Sequence, residues 1–90
     1  MDINEISGSV VDAAMKVHTA LGPGLLESVY EKCLEHELTK RGLRVETQVW
    51  LPVVYDGVEI EGGYKIDLLV EGQVVVELKV VEQTLEIHKA

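Results

Sequence analysis

The sequence holds one cysteine, Cys33. It can close no internal disulfide, which excludes a stapled extracellular scaffold. No apolar run approaches the roughly 18 residues needed to span a bilayer. The opening Met1-Asp2-Ile3-Asn4-Glu5 is acidic and lacks the basic-then-apolar order of a secretion signal. These absences point to a cytoplasmic protein with no membrane partner. Positive charge is scarce too: 8 Lys and Arg stand against 16 Asp and Glu, for a net charge of −8. A duplex-binding surface usually carries the opposite sign, because phosphate neutralisation and counterion release dominate its affinity. A generic nucleic-acid binder is therefore disfavoured. A metal-dependent nuclease is not, since bound cations offset its clustered carboxylates, but any contact with nucleic acid must use a local patch. Repeats, low-complexity tracts and linkers are also missing, so residues 1–90 read as a single domain. Its core is small, with about 60–65% of the unfolded surface buried.

Apolar residues make up 47% and charged residues 27%, a globular balance. The chain divides near Gly42 into a helical half and a strand half. Ile3, Ile6, Val10, Ala13, Ala14, Val17 and Leu21 recur at spacings of three and four, which predicts a helix over 3–21. Gly22-Pro23-Gly24 breaks it. A second helix is predicted over 25–41, with Leu26, Val29, Tyr30, Cys33, Leu34 and Leu38 inward and Gly42 ending it. Beyond Leu43 the period becomes two. Strands are expected at about 43–55, 58–61, 64–70 and 74–81, with a hairpin turn at Asp56-Gly57 and an interruption at Gly62-Gly63. Residues 82–90 read as the start of a helix. The fold class is α+β: two N-terminal helices on a mixed or antiparallel four-stranded sheet.

The hairpin around Glu71-Gly72-Gln73 carries the functional argument. A two-residue turn would put Val70 opposite Gln73 and Ile66 opposite Glu77, mixing apolar and charged residues on both faces. A three-residue connection sets Val70 against Val74, Leu68 against Val76, Ile66 against Leu78 and Tyr64 against Val80, leaving one face apolar. A one-residue slip moves every side chain of a strand to the other face, so burial selects the second register. The opposite face then pairs Leu69 with Val75, Asp67 with Glu77 and Lys65 with Lys79. Asp67 and Glu77 would lie with Cβ atoms about 5 Å apart, and Lys79 would project from the same face. Two hard oxygen ligands beside an ammonium suit metal-assisted phosphodiester hydrolysis. Asp-x9-Glu-x-Lys is a weak pattern alone, and such charges on a sheet face are most often a solvated surface. Its setting between Ile66 and Leu68 on one strand, and Leu78 and Val80 on the other, favours a site.

Two stretches carry a family resemblance. Val17-His18-Thr19-Ala20-Leu21-Gly22-Pro23-Gly24-Leu25-Leu26-Glu27-Ser28-Val29-Tyr30 resembles the signature of the GxxExxY proteins, with Gly24, Glu27 and Tyr30 in the motif positions. Gly63-Tyr64-Lys65-Ile66-Asp67-Leu68-Leu69-Val70 and Val76-Glu77-Leu78-Lys79 are similar to that family's Asp…Glu-x-Lys segment. The resemblance implies a PD-(D/E)xK nuclease with a restriction-endonuclease-like core. It places Asp67, Glu77 and Lys79 in the catalytic positions. It makes Glu27, Asp67, Glu77 and the carbonyl of Leu78 ligands of Mg²⁺ or Mn²⁺. Glu27 read alone is an acid in the first turn of a helix, where the dipole favours it, and Tyr30 reads as core. Family members ordinarily continue past Glu-x-Lys through another helix and strand, so the expectation here is a shortened form. Two readings stay open: a nuclease acting on DNA or RNA, and a non-catalytic oligomeric binding module on the same scaffold. An uncovered Val-rich face and an open last edge predict a homodimer formed through the C-terminal strand or tail.

Overall fold

The first nineteen-residue amphipathic run is helix α1, Ile3–Leu21, in a computed structural model that describes residues 1–79 and 85–89. Its three-and-four spacing turns Ile6, Val10, Ala13, Ala14 and Val17 inward, where all are buried. Asp2 caps the start by accepting the Glu5 N–H at 2.9 Å, satisfying one donor the first turn leaves open. Gly22 ends α1 with its N–H on the His18 carbonyl at 2.7 Å. Helix α2 spans Glu27–Lys40, two residues shorter at its start than its periodicity predicted. Leu26 caps it without a side-chain bond, and Arg41 closes it through its backbone N–H. Tyr30, Leu34 and Leu38 face the core. The Tyr30 hydroxyl donates to the Ala14 carbonyl at 3.0 Å. That bond locks α2 onto α1, and burial raises the tyrosine pKa.

Four strands follow: β1 Val45–Tyr55, β2 Val58–Val70, β3 Val74–Leu78 and β4 Leu85–Lys89. They form one antiparallel sheet in the order β1-β2-β3-β4. Both helices lie on one face, α1 against β3 and β4, and α2 against β1 and β2. Leu68, Val70, Val74, Val76 and Leu78 meet the helices in a single apolar core. The α+β class is as expected; three details of it are not.

Gly62-Gly63 does not split the second strand. β2 runs straight through, and the register with β1 shifts between Leu51 and Val53 instead. Pro52, which has no N–H to donate, sits at that shift on an edge strand, where it is tolerated. A Cβ on Gly63 would lie 2.1 Å from the Leu51 carbonyl oxygen, so only glycine fits this crossing. The second difference is the C-terminal segment, expected to begin a helix. Residues 85–89 form β4, pairing Val74 with Lys89 through Leu78 with Leu85. The bare N–H and C=O groups of β3 make pairing the stronger demand, and context overrides local preference. Ile87 packs against the core, and Lys89 Nζ reaches Asn4 Oδ1 at 2.8 Å. The third difference follows: the β3 edge, expected open, is covered by β4. The predicted strand residues 80–81 and the Tyr64–Val80 pairing lie outside the described residues.

One polar cluster was not anticipated. Glu37 is buried between the helices and accepts from Lys16 at 3.2 Å and Arg41 at 3.4 Å. Arg41 also bridges to Asp12 at 2.8 Å. The Lys16 hydrogen bond, supported by its charge and by Arg41, holds the Glu37 carboxyl below the usual glutamate range despite partial desolvation. A carboxyl with a lowered folded-state pKa adds stability above its unfolded pKa and loses it as pH falls through the folded value. Glu37→Gln is therefore expected to flatten the acid limb of a melting-temperature-versus-pH curve; identical limbs would show the cluster to be energetically idle. Lys16 is largely exposed, so solvent screening keeps the effect modest.

Candidate active site

The β2–β3 hairpin has the three-residue register: Val70 pairs with Val74, Leu69 with Val75 and Leu68 with Val76. The turn is built differently from a simple three-residue loop. Glu71 (φ 55°) and Gly72 (φ 65°) are both left-handed, and Gln73 N–H closes on the Val70 carbonyl at 3.0 Å. That is a primed two-residue turn with Gln73 as one extra residue, which restores the register burial requires. Left-handed Glu71 is held by reciprocal bonds to Arg44, the residue before β1. Its N–H donates to the Arg44 carbonyl at 2.8 Å, and its carboxylate accepts the Arg44 N–H at 2.5 Å.

Continuing the register one step brings Asp67 level with Glu77, both half-buried, on the face away from the helices. At that level the regular ladder gives way. Asp67 Oδ2, not a backbone carbonyl, accepts the Leu78 N–H at 2.9 Å. On the other side of Asp67, between the pairs Thr47↔Leu68 and Val49↔Ile66, Gln48 is left-handed at φ 53°. A non-glycine residue rarely adopts this conformation within a strand. It turns the Gln48 amide to α2, where Nε2 donates to Glu31 Oε1 at 2.9 Å. Asp67 thus lies where both neighbouring strands leave regular pairing.

The Tyr64 hydroxyl donates to Glu77 Oε1, fixing the second carboxylate. Tyr64 falls in the predicted row of Ile66, Leu68 and Val70, and nothing in its spacing marks it as a partner of Glu77. Lys79 is exposed just past the end of β3. Glu27 is the first residue of α2 and half-buried. Among the described residues no three His, Cys, Asp or Glu side chains form a group that could hold a metal ion. Glu27 therefore does not join Asp67 and Glu77 in one cluster. The α2 acid that contacts the sheet at the level of Asp67 is Glu31, one turn further on. β4 adds a residue that the helical reading of the tail had hidden: Glu86 pairs with Glu77 in register.

The same face extends along β1 and β2. Trp50 pairs directly with Lys65, whose Nζ stands 5.6 Å from the indole centroid. Lys65 precedes Asp67 by two residues and shares its face. Trp50 also lines a shallow cavity of about 360 Å³ with Leu51, Pro52, Glu59, Ile60 and Glu61. No helix among the described residues is long and apolar enough to cross a membrane.

Set against known proteins, the chain matches the profile of the PD-(D/E)XK nuclease superfamily over residues 4–90. No curated protein and no solved structure matches it.

Proposed function

From the premise that this chain belongs to the PD-(D/E)XK nuclease superfamily, we propose that it hydrolyses phosphodiester bonds of nucleic acid with the help of Mg²⁺ or Mn²⁺. We place it among the GxxExxY proteins. Nucleases of the superfamily are generally divalent-metal dependent. The observation that carries the reading is the Asp67–Leu78 hydrogen bond. It pins a carboxylate against the backbone of the residue between Glu77 and Lys79.

The donor set suits a hard cation. Asp67 and Glu77 offer carboxylate oxygens, and these are the ligands magnesium and manganese prefer. Extended backbone points the N–H and C=O of one residue to the same side of the strand. The Leu78 N–H faces Asp67, so its carbonyl is directed to that side as well and serves as a third oxygen. Glu27, the first residue of α2, is the proposed fourth. A bound divalent cation would polarise the phosphate and lower the pKa of a water. Lys79 carries the charge that balances a developing phosphorane or orients the attacking water. Tyr64 holds Glu77 in place, and the Gln48–Glu31 bond ties α2 to the strand beside Asp67.

Calorimetric titration with Mg²⁺ and Mn²⁺, alongside cleavage assays on single- and double-stranded DNA and RNA, tests the proposal. Saturable metal binding with metal-dependent cleavage is expected. Neither metal binding nor cleavage on any of the four substrates would leave the non-catalytic binding module as the surviving reading.

We further propose a homodimer, with a different surface from the one the sequence suggested. Beyond Pro52 the β1–β2 hairpin carries Val53, Val54, Tyr55, Val58 and Ile60, all exposed. Apolar patches of more than a few hundred Å² are seldom left to water. Light scattering at micromolar concentration should return a mass well above the 10.0 kDa of one chain. A concentration-independent monomer would rule this out.

A further inference from the structure

Trp50 has no role in the chemistry above, yet it is 61% exposed on the face of the candidate site. A large aromatic held in water beside a row of charged groups needs a reason. Its setting supplies one. Trp50 and Lys65 are direct cross-strand partners in ring–cation contact. Lys65 and Asp67 follow each other on one face of β2, about 7 Å apart along the strand. A flat apolar ring, an ammonium and the proposed metal-ligating carboxylate thus lie in sequence along one strip of sheet.

We infer that this strip is a subsite for unpaired nucleic acid, with one base stacked on Trp50 and an adjoining phosphate at Lys65. The inference rests on the nuclease reading and narrows its substrate to single-stranded or locally unpaired polynucleotide. Stacking needs an exposed base face, which a closed duplex does not offer, and it tolerates any base. The overall charge makes the point sharper. With a net charge of −8, long-range attraction for phosphate is lacking, so affinity has to come from a contact that does not depend on charge. Glu59 and Glu61, which line the same cavity as Trp50, repel phosphate. As acceptors they suit the exocyclic amino groups of a base. The cavity is also lined by apolar Leu51 and Pro52, as a base ring requires.

Trp50 is the sole tryptophan of the chain, so its fluorescence reports this subsite alone. Titrations in EDTA, where metal-dependent hydrolysis is off, would use single-stranded DNA, single-stranded RNA, a duplex of the same sequence and an abasic strand. Saturable quenching by a DNA or RNA single strand is expected, with the duplex and the abasic strand binding at least tenfold more weakly. Anisotropy of a labelled strand should show Trp50→Ala weakening binding by about tenfold or more, and Trp50→Phe restoring most of it. The salt dependence should be shallow, because few cations contribute. Three outcomes would each overturn the inference: binding that leaves Trp50 emission unchanged, a duplex bound as tightly as the single strand, or no binding of any strand. Quenching without cleavage in Mg²⁺ would instead count against the hydrolytic proposal and leave the subsite standing.

Discussion

Asp67→Asn is expected to lower metal-dependent hydrolysis about a thousandfold while leaving the fold in place. Metal polarisation of a phosphoryl oxygen supplies several kcal/mol of transition-state stabilisation, and each ~1.4 kcal/mol is a factor of ten in rate. Removing one of the three proposed anionic ligands, Glu27, Asp67 and Glu77, would forfeit most of that. The substitution is nearly isosteric. Asparagine keeps an oxygen able to accept the Leu78 N–H that Asp67 now holds at 2.9 Å, so the β2–β3 strands should stay in register. The control is thermal. At about 100 times its dissociation constant, Mg²⁺ should stabilise the wild-type fold by roughly 2.7 kcal/mol if it binds only the native state. The variant should show no such gain. Equal melting of both proteins with and without the ion, together with equal cleavage rates, would reduce Asp67 to part of a charged surface.

Leu68→Ala should be among the most damaging single changes to stability. Leu68 has no exposed surface and lies on β2 between Thr47 of β1 and Val76 of β3. Its side chain therefore belongs to the central part of the apolar core. Truncating a buried leucine to alanine costs about 2–5 kcal/mol, the upper part of that range applying where the surroundings cannot collapse. A chain of this size has only on the order of 5–13 kcal/mol in all. A loss near 3 kcal/mol would lower the melting temperature by roughly 12–24 °C. Leu68→Met, which conserves volume, should cost less than about 1.5 kcal/mol. Denaturant unfolding of both variants distinguishes the cases. A drop below about 1 kcal/mol for alanine would mean that the helices do not close over β2.

Much of the site was written into local pattern. The register of Asp67 and Glu77 followed from alternation alone, because Ile66, Leu68 and Val70 against Val74, Val76 and Leu78 allow one pairing that buries them all. Periodicity located α1 to the residue and α2 to within two residues of its start. The two motif stretches point to the superfamily by themselves. The turn was half legible: Gly72 announced a left-handed residue, whereas Glu71 beside it is left-handed only because Arg44, distant in sequence, holds it from both sides.

The remainder depended on contacts between segments far apart in the chain. Residues 85–89 read locally as the start of a helix, and it is the unpaired edge of β3 that makes them a strand. Gly62-Gly63 looks like a break until the Leu51 carbonyl is found where a Cβ would stand. The Tyr64–Glu77, Gln48–Glu31 and Lys16–Glu37 bonds join residues 13 to 21 positions apart, and no spacing rule reaches that far. What the sequence determined by itself was the alternation and spacing of apolar residues, since each element must bury one face whatever surrounds it. What only the tertiary structure decided was the pairing of polar groups across elements. A hydrogen bond depends on where two atoms arrive, and that is set by how the buried faces pack.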